Sequence, residues 1–302
     1  MPFSYGTCFN DCIGEGSIFI RISGGWTKYI MEKRLSELID ESDLIVVGIG
    51  NEWNWIRSGL KSDPRYNDIL NYTKKEGFNW LLPVVEFEYG YYNNNDRIDV
   101  AYKGLRKLIG DKKYFLISEM FLQDALLNGF ETENCVYPCG NFRYLQTPDI
   151  DEPLIEAIKA DEFMGLVSRI HNLINEREGL LHEGETFYKP FYMGKELYLN
   201  QKRLEYSNIK YNESAYLSNW DKYTRYLADT INKKLLILEL GVSLDYPTVI
   251  RWPFEKMTFI NKGAHLVRVH EKLFHHTPEI ADKTDSVSMN SVDYIMQESE
   301  GL

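Results

Sequence analysis

Two glutamates are the residues best placed for acid–base work. Glu52 stands three residues beyond the apolar run Leu44–Ile49, and Glu119 stands directly after Lys113–Ser118. A carboxyl group at a buried strand end can stabilise an oxocarbenium ion during N-glycosidic cleavage, as glycosidases do with paired acids. Glu52 equally suits a solvated turn, and Glu119 a salt bridge to a helix. Cys139, in Tyr137-Pro138-Cys139-Gly140, acts as base or nucleophile only where its pKa is lowered. No cation adjoins it in the sequence, so a small, half-buried residue is the expectation. His265, His270, His275 and His276 are four of the six histidines. A strand followed by a loop scatters such residues, and only His270, at the strand end, suits a ligand contact.

The four cysteines form two pairs, Cys8/Cys12 and Cys135/Cys139, each with three residues between. Zinc sites use such spacing. These pairs lie far apart with no Gly-rich knuckle, so no metal is expected. Gly48-Ile49-Gly50 supplies the first two glycines of a dinucleotide turn, but Trp53 holds the third position. A tight structural turn explains the same residues equally well.

The elements that must position these groups alternate. Stretches at Asp43–Gly50, Lys113–Ser118, Asn134–Tyr137, Lys234–Gly241 and Ala264–Val269 read as strands of a parallel sheet. Helical spacing is expected over Trp26–Ile39, Asp99–Ile109, Phe121–Asn128, Pro153–Glu178, Ser214–Ile231 and Ser291–Glu298. Gly129 suits a C-cap, and Trp80–Val85 fits strand or buried helix. Residues 182–208, rich in Gly and Tyr, suggest a small β module. Strands alternating with helices predict an α/β fold with a Rossmann-like, doubly wound parallel sheet. Its domain spans 1–150 and 232–302, and a small module is inserted at 151–231. Ligands of such sheets bind at the carboxyl edge, where strands end and helices begin.

Composition narrows the partners. With 34 Lys+Arg against 45 Asp+Glu the net charge is 34 − 45 = −11. A chain this acidic, lacking a basic block, repels a phosphate backbone, so nucleic acid is not an expected partner. No run approaches the roughly 20 apolar residues of a membrane helix. Met1 to Cys12 lacks a basic segment followed by an apolar one, so export is not expected and the cytoplasm is. The 21 Tyr, 15 Phe and 6 Trp suit a ligand cleft or simply the core.

Leu238-Glu239-Leu240-Gly241-Val242, then Pro247, Ile250-Arg251 and Pro253-Phe254, resembles a segment of the sirtuins. The variant in macrodomain-linked bacterial sirtuins is the most similar. In that register Asp43–Gly50 takes the place of the phosphate-binding glycine turn. Tyr114–Leu122, Tyr137–Gln146 and Arg268-Val269-His270 follow in order, so the resemblance runs from about residue 26 to 298. It implies NAD or a related adenine nucleotide as cofactor, with ADP-ribosyl transfer or deacylation as activity. It also implies nucleotide contacts at Gly48, Gly50, Asn51, Gly140, Asn141, Gly241, Val242, Ser243 and His270.

The departures are specific. Met120 replaces the expected Asn, Leu122 the Asp, and Cys139 the catalytic base. Thr147, Pro190 and Met193 stand where zinc-binding cysteines are expected, so the zinc ribbon is degenerate. Glu52 enters the phosphate turn and would repel a pyrophosphate. The expectation is a divergent NAD- or nucleotide-binding protein with altered ADP-ribosyl transfer, deacylation or NAD hydrolysis, using Cys139, Glu52 or Glu119, and with a protein as a further candidate partner. Its rival is a catalytically inactive protein of this fold that senses a nucleotide or binds a protein. A third expectation is an N-glycosidase using Glu52 on another nucleotide.

Overall fold

The computed structural model describes residues 17–22, 25–30 and 33–301. Cys8 and Cys12, and with them one cysteine pair, lie outside these residues. An antiparallel hairpin comes first, β1 (Ser17–Ile22) and β2 (Gly25–Ile30). The helix expected over Trp26–Ile39 is therefore confined to α1 (Leu35–Glu41). Trp26, Thr27, Tyr29 and Ile30 are strand formers behind a glycine pair, and β pairing overrides their helical spacing.

Six parallel strands form the main sheet: β3 (Leu44–Ile49), β4 (Lys113–Ser118), β5 (Cys135–Val136), β11 (Leu235–Leu240), β12 (Ala264–Val269) and β13 (Thr284–Val287). Their order in space is β13-β12-β11-β3-β4-β5. Counted within the sheet alone, this is the 3-2-1-4-5-6 order of a doubly wound nucleotide-binding fold. The switch point falls between β3 and β11, whose registers pair Gly48 with Glu239 and Ile49 with Leu240.

Strand periodicity divides the core between the two faces. Ile45, Val47, Ile49, Leu116, Leu238 and Leu240 pack on one side with Leu105 of α5 (Asp96–Ile109) and Ile295 of α10 (Ser291–Glu298). Val46, Phe115, Ile117 and Ile237 pack on the other with Tyr223 of α8 (Leu217–Asp229) and Phe254 of α9 (Arg251–Ile260). One charged residue interrupts β11. Glu239 accepts from Arg251 Nη1 at 2.8 Å and from Arg268 Nη2 at 2.9 Å. Both arginines also donate to the His275 carbonyl, which ties the loop after β12 to the core. Such a buried network is destabilising to break, because removing one partner leaves a desolvated charge.

Between β3 and β4 run α2 (Trp55–Ser62), α3 (Asn67–Tyr72), α4 (Leu81–Tyr92) and α5. Trp80–Val85 is thus resolved as the start of a helix. The helix expected over Phe121–Asn128 shrinks to α6 (Asp124–Leu127), because the Phe121 carbonyl accepts from the Phe142 N–H instead of a helical donor. Gly129 follows with φ +89°.

A second, antiparallel sheet comprises β6 (Gly140–Gln146), β7 (Ile155–Glu156) and β10 (Tyr198–Gln201). The helix expected from Pro153 begins only at α7 (Asp161–Glu176), since Ile155 and Glu156 pair with β6. A hairpin of β8 (Phe191–Tyr192) and β9 (Lys195–Glu196) turns at Met193-Gly194. An amide network knits this module. Gln146 Oε1 accepts from Asn200 Nδ2 at 2.8 Å and from the Asn212 N–H at 3.0 Å. Among the described residues no three His, Cys, Asp or Glu side chains converge as metal ligands, and no helix is long and apolar enough to cross a membrane.

Candidate functional site

The loops leaving β3 and β11 meet at the switch point. Gly50 N–H donates to the Leu240 carbonyl at 2.9 Å, and Glu52 N–H to the Gly241 carbonyl at 3.2 Å. A Cβ at Gly50 would lie 2.2 Å from Val242 Cα, so only glycine permits this approach. Gly241 has φ +65°, and a Cβ there would lie 2.6 Å from both Glu52 Cβ and Ser291 Oγ. The glycines of both loops thus admit a neighbouring segment of the same chain. Gly48 lies inside β3 against Ile250 and Phe254, and Val242 is core.

Glu52 is fully engaged. Its Oε2 accepts from the Ser291 N–H, the first residue of α10, at 2.7 Å. Its Oε1 accepts from the Glu271 N–H at 2.8 Å. His270 Nδ1 lies 3.2 Å from the same oxygen, yet that nitrogen also accepts from the Lys272 and Leu273 N–H groups at 3.0 and 3.1 Å. Its lone pair is therefore in use, and burial lowers the His270 pKa further. A neutral imidazole beside Glu52 fits both facts better than an ion pair. Trp53, fully buried, donates its indole N–H to Ser291 Oγ at 3.1 Å. Asn290 caps α10 by accepting from the Val292 N–H at 3.1 Å.

Glu119 differs. Its Oε1 accepts from both the Ser243 N–H at 3.1 Å and Ser243 Oγ at 3.2 Å. Its Oε2 is buried and has no hydrogen-bond partner among the described residues. Burial pushes its pKa up to about 7; the Ser243 donors oppose this, while Asp245 and Glu239 reinforce it. Asn51, Asn54, Arg57, Asp245 and Tyr246 surround it in a cavity of about 20 Å³. Asn51 Nδ2 donates to Asp245 at 3.5 Å, and Arg57 reaches the same carboxylate at 3.8 Å.

Deeper in, Trp53, Ile56, Glu86, Met120, Leu122 and Asp124 line about 10 Å³. Asp124 accepts from the Trp55 indole at 3.2 Å, and burial pushes its pKa up to about 6. Cys139 is completely buried, and burial drives its thiol far above the ordinary range, outweighing the opposite pull of Lys202. Such a thiol is neither base nor nucleophile at neutral pH. Gly140 and Asn141 open β6; Asn141 Oδ1 accepts from the Arg143 N–H at 2.8 Å, and Gly140 abuts the Asn200 backbone.

The strand ends therefore gather Gly50, Asn51, Glu52, Glu119, Gly241, Ser243 and His270. Gly48 and Val242 belong to the packing, and Cys139 is sealed within it. Sequence patterns do not single out Arg57, Asp124 and Ser291, whereas Asp245 is expected among the acids near the cleft and lies there. The one local signal for Ser291 is Asn290 before an apolar-periodic helix.

Comparison with known proteins sets this arrangement in context. A scan against protein-family models finds no match, and a search of curated proteins finds none. Among solved structures, a mutant Sir2 homologue in complex with ADP-ribose aligns with TM-score 0.50 over 88% of this chain and 94% of that one, at 12% identity. The chain has the sirtuin fold. A Sir2 homologue–NAD complex aligns with TM-score 0.47 over 88% and 91%, at 11% identity. At such identity the likeness is one of fold. The macrodomain-linked subtype and the degenerate zinc ribbon are not addressed by it.

The donors of the sirtuin-fold edge suit a phosphate group, since Ser243 offers an N–H and a hydroxyl to one anionic oxygen. The space does not. Dinucleotide pockets need several hundred cubic ångströms, and the two cavities here total far less. In this arrangement Glu119 holds Ser243 and the edge leaves no room for a nucleotide.

Proposed function

We propose that this chain is a sirtuin-fold protein that binds an adenine nucleotide of the NAD or ADP-ribose type at the switch point, as a binding module and not a deacylase. The observation that carries this is the paired donation of Ser243 N–H and Oγ onto one carboxylate oxygen. Two convergent donors at the carboxyl edge of a doubly wound sheet form an anion seat. The Sir2 homologues aligned above were solved with ADP-ribose and with NAD, which supports the same ligand class. Against deacylation stand the sealed Cys139 thiol and the Glu52 carboxylate held by two backbone N–H groups. Asn51, Asn54 and Arg57 rim the seat and would orient the ligand. Cytoplasmic residence and a protein as second partner belong to the same proposal.

A second reading has one observation in its favour. The unpaired Glu119 Oε2, on a carboxyl group that titrates near neutrality, could hold or deliver a proton in N-glycosidic cleavage. Calorimetry with ADP-ribose, run beside a nicotinamide-release assay with NAD, separates the two. Binding without release is the expected result. Steady release that Glu119→Gln abolishes would replace the binding module with the enzyme.

A further inference from the structure

We propose that Glu119 is a built-in occupant of the anion seat: its carboxylate holds the Ser243 donors until a proton neutralises it, and only then does a nucleotide phosphate take its place. This rests on the nucleotide-binding function proposed above.

Three features lead there. Both Ser243 donors converge on a single Glu119 oxygen, so the seat is filled by an anion of the protein itself. The other oxygen is buried and unpaired, and the residue is only 3% exposed. A buried carboxylate satisfied on one side only is costly to keep charged. The charged groups around it add to that cost. Asp245, in the loop after β11, and Glu239, on β11 itself, both disfavour its ionisation. Arg57 of α2 pairs with Asp245. Cys139, from the turn after β5, contributes only a neutral thiol.

Two anions cannot share one pair of donors in a buried site, because their repulsion there is far stronger than in water. The incoming phosphate therefore displaces the carboxylate, and protonation makes the displacement electrically even. One negative charge leaves as one arrives, and the neutral acid no longer competes for the Ser243 N–H. With a Glu119 pKa of about 7, roughly half the molecules already carry the proton at neutral pH. Binding then takes up to one proton from solution. By linkage, affinity is flat below pH 7 and falls as pH rises above it, approaching tenfold per unit. A diester pyrophosphate keeps its charge throughout this range, so the slope belongs to the protein. His270 and Asp124 lie nearby with displaced pKa values, and a Glu119 variant separates their contribution.

The experiment is calorimetric titration of the full chain with ADP-ribose from pH 6 to 8.5, in two buffers of different ionisation enthalpy. The wild type should lose about tenfold or more in affinity between pH 7 and 8.5 and take up nearly one proton per site at the upper end. Glu119→Gln should bind with no pH slope and no proton uptake. Proton uptake is measured on the wild type alone, so the test survives a variant that fails to fold. Flat wild-type affinity without uptake, or a slope that persists in Glu119→Gln, overturns the displacement and leaves nucleotide binding standing. Absence of binding by both proteins at every pH overturns the nucleotide function and the displacement together.

Discussion

The ends of β3 and β4 carry one glutamate each, and the two have opposite fates. At the β3 end, each Glu52 oxygen accepts a backbone N–H, from Ser291 on one side and Glu271 on the other. At the β4 end, one Glu119 oxygen is held by Ser243 and the other by nothing among the described residues. Glu119 is buried and Glu52 half-buried, and neither degree of burial by itself marks a functional acid. What separates them is completeness. A satisfied carboxylate joins segments of the chain, whereas a half-satisfied one sits near neutrality in its titration and exchanges partners at little cost.

Breaking the β3 side should have the larger effect. Glu52→Ala leaves the Ser291 and Glu271 N–H groups without their acceptor and uncouples α10 from the switch point. Urea unfolding should show a loss of about 2 kcal/mol, at the scale of one part-buried donor left unpaired and one exposed hydrogen bond lost. A loss within about 0.5 kcal/mol would make Glu52 a surface residue and erase the contrast.

The β4 side should show itself through pH. Burial raises the folded pKa of Glu119 from 4.5 to about 7, so the folded chain binds the extra proton between those values. Its contribution to stability is complete below the unfolded pKa and declines as pH rises through about 7. Wild-type stability should therefore fall by about 1–2 kcal/mol from pH 5 to 7.5 relative to Glu119→Gln, as order-of-magnitude linkage predicts. Parallel curves for the two proteins would place Glu119 in an ordinary solvated setting.

Much of the scaffold was legible in the sequence. Leu44–Ile49, Lys113–Ser118, Leu235–Leu240 and Ala264–Val269 are apolar on both faces, as strands of a covered parallel sheet must be, and Ser291–Glu298 has plain helical spacing. Gly140–Gln146 escaped because buried Asn141 and Gln146 interrupt the apolar pattern of its covered residues, and Thr284–Val287 because four residues carry too little pattern. The glutamates were visible as strand-end acids, but their partners were not. Ser291 lies 239 residues from Glu52, and Ser243 lies 124 from Glu119. Local periodicity carries no information about such pairings; tertiary packing alone creates them. Cys139 shows the converse, since its place in the sirtuin-like pattern suggested chemistry and the core enclosed it.

The central claim, that Glu119 occupies a seat meant for an anionic ligand, is tested most directly by carboxyl-carbon NMR of the ¹³C-glutamate-labelled chain, with Glu119→Gln identifying the signal. One glutamate should titrate near pH 7 in the free protein and remain protonated to higher pH once ADP-ribose is added. A Glu119 resonance that titrates in the ordinary carboxylate range, or one that ADP-ribose leaves unmoved while binding, would contradict it.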